Sequence, residues 1–268
     1  PSFTVSTACS SGGDAICMAA MLLNAGEADV MLVVGGESAH CPIIISTLAQ
    51  AKALSKNPDP KSACRPFDAD RDGFVMGEGG GAIILETEEH AKRRGAGIMC
   101  RLAGWGNNTD GYHVTSPRPD GSGAVKCMSD ALAKAGMKPE DIDYINAHGT
   151  STPLGDPIET LAIKTLFGWD DPEAPMPEDL KEKIPPVSST KANTGHLMGA
   201  GGITEVIACI KAIQTGIIPP TLNYRTPDPR CDLDFVAEGP RKVKVDTAMS
   251  NALGFGGQNS SIIVTRYE

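Results

Sequence analysis

Cys9 stands where a predicted strand over residues 3–7 turns on small residues into a predicted helix, in the segment Thr-Ala-Cys-Ser-Ser-Gly-Gly. N–H groups at a helix N-terminus lack partners, and the positive end of the helix dipole favours a thiolate there. The same N–H groups can hold an oxyanion during acyl transfer. Cys9 is therefore a candidate nucleophile that carries an acyl group as a thioester. A buried structural cysteine before a helix is the alternative that this segment leaves open.

Two histidines and one lysine lie in similar turns. His148 follows a predicted strand in Asn-Ala-His-Gly-Thr-Ser-Thr-Pro-Leu-Gly-Asp, and Lys191 and His196 lie five positions apart in a Ser/Thr/Gly-rich stretch before an apolar helix. Catalytic groups of α/β proteins collect at such strand ends. A hydrogen-bonded turn histidine, a surface lysine and a helix-capping histidine are the alternatives.

Phe255 is the fourth feature, an aromatic residue among glycines in Asn-Ala-Leu-Gly-Phe-Gly-Gly-Gln-Asn. The segment is either a hinge or a packed turn, and its glycines would let the Phe255 N–H face a ligand. One cysteine, two histidines, one lysine and this phenylalanine, each at an element boundary, form a pattern more specific than any part.

Short apolar strands alternate with amphipathic helices along the chain, which predicts an α/β protein with helices covering its sheets. The predicted strands cover residues 3–7, 30–34, 80–85, 99–103, 144–147, 243–251 and 260–265, and the run 30–34 is typical of a buried central strand. Helices are predicted after Cys9 and over residues 121–135, 156–167 and 198–215. Residues 54–74 read as a long ordered loop and residues 168–186 as a surface insertion.

Composition excludes several classes. The net charge of −9 argues against a broad nucleic-acid footprint, and the apolar runs are too short to span a bilayer. None of the eight cysteines forms a C-x-x-C pair, so a zinc ribbon is unsupported and a reducing compartment is expected.

With all four motifs in order across nearly the whole chain, the sequence resembles the β-ketoacyl-acyl-carrier-protein synthases, condensing enzymes of the thiolase fold. The motifs around His148 and His196 look more like the elongating fatty-acid type than the modular polyketide type. The resemblance implies a layered α-β-α-β-α fold with an incomplete first half at residues 1–95 and a complete second half at 96–268. Because only eight residues precede Cys9, part of the first half and of the acyl tunnel is expected to be missing.

The resemblance also assigns roles. Cys9 matches the nucleophile, His148 and His196 the catalytic histidines, and Lys191 the lysine that polarises the site. Phe255 and Gly254 match the oxyanion hole and gate, together with Cys9. Thr150 and Thr152 match contacts to the pantetheine arm. Glu205 and Asp156 match structural acids near the site. Leu253 and Gln258 depart from the common Phe and Thr, which puts the shape of the acyl gate in doubt.

The implied reaction is a decarboxylative condensation of the acyl group on Cys9 with malonyl-acyl-carrier protein, in fatty-acid elongation. Neutral imidazoles would stabilise the charge that develops as carbon dioxide leaves. No metal or redox cofactor is expected, since the substrates ride on 4'-phosphopantetheine. The expected partners are acyl-carrier protein, acyl and malonyl thioesters, and a second copy in a homodimer. No nucleic acid or membrane partner is expected. The expected location is the cytoplasm or an organelle matrix. Lys52 and the run at residues 92–94 are candidate docking cations.

Three alternatives remain. A polyketide-type ketosynthase would use the same residues. An inactive fragment or partner subunit would only bind, although the intact Cys9, His148 and His196 argue against a decayed subunit. A thiolase would use a second cysteine late in the chain, and the segment around Phe255 contains none.

Overall fold

The computed structural model describes residues 1–169, 171 and 174–268. The helices of these residues are α1 (Ser11–Asn24), α2 (Pro42–Gln50), α3 (Glu88–Arg93), α4 (Ser122–Ala135), α5 (Gly155–Leu166), α6 (Glu178–Lys181), α7 (Lys191–Thr194) and α8 (Gly201–Thr215). The strands are β1 (Val30–Glu37), β2 (Gly79–Glu86), β3 (Arg101–Thr109), β4 (Tyr144–Asn146), β5 (Val187–Ser188), β6 (Ile217–Ile218), β7 (Arg241–Lys242), β8 (Thr247–Leu253) and β9 (Gln258–Thr265). No described helix has the length and apolar character needed to cross a membrane.

A mixed five-stranded sheet in the order β3-β9-β8-β4-β5 forms the centre. The β3–β9 and β9–β8 pairs are antiparallel, whereas β4 runs parallel to both of its neighbours. Successive residues of a strand point to opposite faces, so Ala248 joins the core with α1 and α8, while Met249 joins the core with α4 and α5. The predicted α/β class is therefore confirmed, with helices on both faces of this sheet.

The antiparallel pair β1–β2 makes a second, smaller sheet. Helices α1 and α8 lie between the two sheets, because each contacts strands of both. The order of layers is thus β1–β2, then α1 and α8, then the five-stranded sheet, then α4 and α5. Both helices that pass through the middle layer begin beside candidate catalytic residues.

The prediction that residues 30–34 form a buried central strand is right about the strand and wrong about its burial. Val33 packs against the middle layer, but Leu32 and Val34 are both 64% exposed, and Ile84 beside them on β2 is 62% exposed. Among the described residues only one face of this sheet is covered, and an apolar run looks the same whether one face or both are buried.

The predicted strand at residues 3–7 does not form. Thr7 makes a single bridge to Cys9, and Phe3 is 47% exposed. A strand needs a neighbour to satisfy its N–H and C=O groups, and the described chain places none there. The strands predicted at 99–103 and 243–251 are displaced along the chain, as β3 and β8, and helices α2 and α3 were not predicted.

The other predicted elements are confirmed within one to three residues: α4, α5, α8, β2, β4 and β9. Residues 54–74 contain no helix or named strand, as predicted. The predicted insertion at 168–186 includes residues 170, 172 and 173, which lie outside the described residues, and its described part carries α6.

Helices α1 and α8 meet backbone to backbone at their first turns. A Cβ atom on Gly12 would lie 2.7 Å from the Ile203 nitrogen, and one on Gly202 would lie 2.6 Å from the Gly13 nitrogen. Real Cβ contacts essentially never come that close, so only glycine permits this packing. The contact lies three residues after Cys9 and six after His196.

Candidate active site

The turn before α1 carries Cys9, two residues before the first helical residue. Ala8 has a left-handed backbone with φ of 54°, which is uncommon for a residue with a Cβ. Asp14 stabilises the turn from the first turn of the helix, since its Oδ2 accepts hydrogen bonds from Thr7 Oγ1 at 2.6 Å and Ser10 Oγ at 2.9 Å. The side chain of Cys9 is thereby fixed at the floor of a cavity and is only 5% exposed.

Burial opposes the expected thiolate form of Cys9 in the unliganded protein. Burial raises the pKa of the Cys9 thiol above its ordinary value. The backbone N–H of Phe255 and the positive charge of Lys191 lower the pKa, but they do not outweigh burial. The balance of these effects favours the thiol over the thiolate at Cys9.

His148 follows β4, where that strand leaves the central sheet. The carboxylate of Glu159, on α5, accepts hydrogen bonds from the backbone N–H of His148 at 2.7 Å and of Gly149 at 2.8 Å. Glu159 is buried, and burial raises the pKa of its carboxyl to about 7 despite these two N–H donors. This residue fixes the path of the chain that carries His148.

His196 follows α7 and is held by the long loop at residues 54–74 and its continuation. Its N–H donates to the Val75 carbonyl at 2.7 Å, and its own carbonyl accepts the Gly77 N–H at 2.9 Å. The ring of Phe74 meets the imidazole edge to face, with the ring centres 5.2 Å apart. Both the backbone and the ring of His196 are therefore positioned by one neighbouring segment.

Lys191 and Glu205 form a buried ion pair beside the histidines. The Lys191 ammonium donates to Glu205 Oε1, and both side chains are less than 5% exposed. The Cys64 thiol donates to the Lys191 carbonyl at 3.1 Å. The predicted role of Glu205 as a structural acid thus corresponds to a specific contact, since it fixes and partly neutralises the Lys191 charge.

The side chains of Cys9, His148 and His196 converge. The Cys9 Sγ and one ring nitrogen from each histidine all lie within 4.8 Å of one another. The two imidazole rings are nearly perpendicular, with centres 5.4 Å apart. Burial, followed by the charge of Lys191, holds the pKa of both histidines well below the usual value. Both rings are therefore neutral at pH 7, as the predicted chemistry requires.

Phe255 and Gly254 line the cavity that also contains Cys9, His148 and His196. The backbone N–H of Phe255 lowers the pKa of the Cys9 thiol, and both residues line the same cavity. A Cβ on Gly254 would come within 3.2 Å of the Cys9 and Ser10 nitrogens. The backbone at Gly254 therefore packs directly on the turn that carries Cys9.

The remaining predicted residues line the same cavity of about 380 Å3. Thr150 and Thr152 lie at one wall, with their hydroxyls 3.1 Å apart. Asp156 is buried behind them. Its Oδ2 accepts a hydrogen bond from the Phe67 N–H at 2.8 Å and lies 3.7 Å from the Arg71 Nε. Burial raises the pKa of the Asp156 carboxyl to about 6.

The two candidate groups of docking cations differ. Lys52 is exposed and lies at the cavity that contains Cys9. The run at residues 92–94 lies at the C-terminal end of α3 and just after it, and each of its cations pairs with a glutamate, Glu88, Glu89 or Glu86. Because those charges are paired locally, Lys52 is the better candidate for contact with an acidic partner.

Sequence reasoning missed three residues that position the site: Asp14, Phe74 and Glu159. Two of them left a signal. Asp14 is the one charged residue of α1, and Glu159 lies between the apolar residues Ile158 and Leu161 of α5, so an acid at either position must find buried donors. Phe74 left none, because it lies in a loop without periodicity.

Two protein-family models match the chain. The family model described as "Beta-ketoacyl synthase, N-terminal domain" matches residues 1–91, and that described as "Beta-ketoacyl synthase, C-terminal domain" matches residues 99–225. The chain belongs to the beta-ketoacyl synthase family. The predicted boundary between residues 95 and 96 stays a prediction.

Curated relatives in this family share nearly half of the residues. The chain is 44% identical to 3-oxoacyl-[acyl-carrier-protein] synthase 2 of Coxiella burnetii, over 99% of this chain and 62% of the relative. It is 47% identical to the protein of that name from Rhizobium meliloti, over 100% of this chain and 61% of the relative. A mitochondrial 3-oxoacyl-[acyl-carrier-protein] synthase of Arabidopsis thaliana is 46% identical, over 98% of this chain and 56% of the relative. The chain thus spans about three fifths of the length of these relatives.

Solved structures of beta-ketoacyl synthases confirm the thiolase-like fold. A ketosynthase from a type II polyketide system, solved with its acyl-carrier protein, superposes with a TM-score of 0.92 at 36% identity, over 100% of this chain and 64% of the other. A beta-ketoacyl synthase from Burkholderia phymatum superposes with a TM-score of 0.89 at 37% identity, over 98% of this chain and 61% of the other.

Proposed function

We propose that the protein containing this chain catalyses decarboxylative condensation of an acyl group on Cys9 with a malonyl thioester, as in fatty-acid elongation. The observation that carries the proposal is the convergence of the Cys9 sulfur with two buried, neutral imidazoles. Acyl transfer needs the nucleophile, and decarboxylation needs neutral hydrogen-bond donors beside it. The names of the curated relatives support the fatty-acid assignment.

In the first half-reaction, the Cys9 sulfur attacks the incoming thioester carbonyl, and the carrier thiol leaves with a proton. The N–H groups of Cys9 and Phe255 would hold the tetrahedral oxyanion. Removal of one such donor typically lowers the rate 100- to 1000-fold, or about 3–4 kcal/mol of barrier.

In the second half-reaction, the malonyl thioester enters the same cavity. His148 and His196 would each donate a hydrogen bond to its thioester oxygen while carbon dioxide leaves. The resulting carbanion attacks the Cys9 thioester, and the Cys9 thiol is regenerated as the 3-oxoacyl product departs. Burial, together with the positive charge of Lys191, keeps both imidazoles neutral. These steps require no metal or redox cofactor.

We propose acyl-carrier protein as the partner that delivers both substrates. The polyketide ketosynthase that resembles this chain was solved with such a protein. Thr150 and Thr152 line the cavity in positions suited to a pantetheine arm, and Lys52 offers a positive charge beside it. A homodimer in a soluble compartment completes the proposal, which for these two points rests on the family resemblance alone.

The test is release of carbon dioxide from malonyl-acyl-carrier protein, together with acylation of Cys9 followed by intact mass, both on the full-length protein. Cys9→Ser should abolish acylation, and His148→Ala and His196→Ala should each abolish decarboxylation while Cys9 still acylates. Cys41→Ser and His40→Ala, which change a cysteine and a histidine outside the cavity, should alter neither. Acylation that survives in Cys9→Ser would refute the proposal.

The polyketide reading is the second candidate, because polyketide ketosynthases are among the structural matches. The same assay separates the two. A fatty-acid enzyme yields a single condensation per acyl group when no reductase is present, whereas an iterative polyketide enzyme yields products with several added two-carbon units.

A further inference from the structure

The donor atoms of the active site also match the preference of a soft divalent metal ion. A thiolate sulfur and two imidazole nitrogens are a common zinc ligand set, with bonds of about 2.3 Å to sulfur and about 2.0–2.1 Å to nitrogen. Donors around such an ion lie about 3.3–3.6 Å apart in a tetrahedron. In the described residues, Cys9, His148 and His196 form a set whose donor atoms already lie within 4.8 Å of one another.

The histidine nitrogens are available for coordination. Nδ1 of His148 and both ring nitrogens of His196 are buried and have no hydrogen-bond partner among the described residues. The two side chains are more than nine-tenths buried, so few rotamers remain to be frozen when an ion binds. Glu159 fixes the backbone of His148, and the ring of Phe74 packs against the imidazole of His196, so little reorganisation is required.

Access and charge are also compatible with an ion. The cavity of about 380 Å3 reaches both histidines and Cys9, which leaves room for a water or an anion as the fourth ligand. Lys191 is the nearest cation, and its ammonium is already paired with Glu205. Binding would form one Zn–S and two Zn–N bonds and release the Cys9 thiol proton to solvent.

We propose that Cys9, His148 and His196 form an inhibitory site for zinc and for other thiophilic ions such as cadmium. The bound ion occupies the nucleophile and both hydrogen-bond donors at once, so it prevents acylation and decarboxylation together. The binding part of this proposal rests on geometry alone, and only its inhibitory consequence rests on the proposed function.

The experiment measures alkylation of Cys9 by iodoacetamide in the full-length, metal-free protein, with and without ZnCl2. Peptide mass spectrometry separates Cys9 from the other cysteines. Zinc should slow alkylation of Cys9 at least tenfold, EDTA should restore it, and Mg²⁺, a hard ion that prefers oxygen ligands, should not protect. Equal alkylation rates with and without zinc would overturn the proposal.

Variants locate the site. His148→Ala and His196→Ala should each weaken zinc protection by at least about tenfold, since loss of an outer-sphere partner alone typically costs 10–100-fold in affinity. Cys41→Ser and His40→Ala are the matched controls and should leave protection unchanged. Protection that persists unchanged in both active-site histidine variants would place the ion elsewhere and refute the assignment.

A measurement on the unmodified protein guards against variants that fail to fold. X-ray absorption at the zinc edge should show one sulfur at about 2.3 Å and two imidazole nitrogens at about 2.0–2.1 Å. Two or more sulfur ligands would contradict the site. A one-sulfur, two-nitrogen site in a protein that releases no carbon dioxide would support the metal site and refute the proposed function, and the reverse result would refute only the metal site.

Discussion

Cys9, the proposed nucleophile, and the two histidines are held in position by different means. Cys9 lies on a strained turn that is fixed by hydroxyl groups and one carboxylate, Asp14, near the start of α1. On the other side, His148 is positioned by the buried carboxylate of Glu159, and the charge beside His196 comes from the buried pair of Lys191 and Glu205. One side therefore depends on local hydrogen bonds, and the other on charges removed from water.

The hydrogen bonds around Cys9 mainly set the geometry of the site, whereas the buried charges near the histidines mainly set its electrostatics. The hydroxyl bonds of Thr7 and Ser10 to Asp14 fix the turn that carries Cys9, and burial raises the pKa of the Cys9 thiol. The buried ion pair carries a desolvation cost, and burial of the imidazoles together with the charge of Lys191 holds both of them neutral. We therefore expect substitutions on the charged side to change stability more than those on the nucleophile side.

Lys191→Met should have the largest effect. It leaves Glu205 buried without its cation, and removal of one partner from a buried ion pair costs about 3–5 kcal/mol. The free energy of unfolding from urea denaturation measures this loss. The double variant Lys191→Met, Glu205→Leu should recover much of the stability, because no charge then remains buried. A loss below about 1 kcal/mol in the single variant would show that water reaches the pair.

Glu159 should make stability depend on pH. Its pKa is raised from 4.5 to about 7 by burial, so the folded protein binds this proton more tightly than the unfolded chain. Stability should therefore fall as pH rises from about 4.5 to 7, by about 3 kcal/mol from this group. Glu159→Gln should flatten the slope, although it also removes one of two acceptors. Denaturation curves across this range give the slope.

The control for that slope is Glu140→Gln, which changes an exposed acid. Its profile should match the unmodified protein. Asp156, whose pKa is raised to about 6, adds a slope of the same sign over a lower pH range, and this part should survive in Glu159→Gln. An unchanged profile in Glu159→Gln would mean that Glu159 stays ionised in the folded protein.

Asp14→Ala tests the nucleophile side. It removes the acceptor shared by Thr7 and Ser10, and loss of a buried hydrogen-bond partner costs about 1–3 kcal/mol. The loss should be smaller than in Lys191→Met, and the alkylation rate of Cys9 should change because the turn is released. Ser10→Ala removes only one donor and should cost less. If Asp14→Ala destabilised the protein more than Lys191→Met, the contrast between the two sides would fail.

The pH dependence of the Cys9 alkylation rate should be the smallest of these effects when each pH unit is expressed as a free energy. Because burial raises the pKa of this thiol, the rate should climb about tenfold per pH unit from 7 to 9, about 1.4 kcal/mol for each unit. The free amino acid cysteine, followed in parallel, should level off just above its own pKa of about 8.5. A Cys9 rate that levels off below pH 8.5 would show an activated thiolate in the unliganded protein.

Motif positions identified residues that the structure brings together, because each motif combined a chemical group with a turn. His148 is indicated by the turn after β4 and His196 by the turn-rich stretch before α8, and the structure places both beside Cys9. The protonation of Cys9 could not be predicted, since a helix start is visible in the sequence but the degree of burial is not. Similarly, Leu32 and Val33 are equally apolar, yet only one of them is buried.

The contact between Gly12 and Gly202 also has a consequence for the temperature response of the site. Two backbones that touch without side chains have no rotamers to exchange. The contact therefore fixes the distance between the segments that carry Cys9 and His196. The separation of these residues should therefore change little on warming. The cavity walls, made of side chains, can vary their shape while the spacing at the reacting centre stays constant.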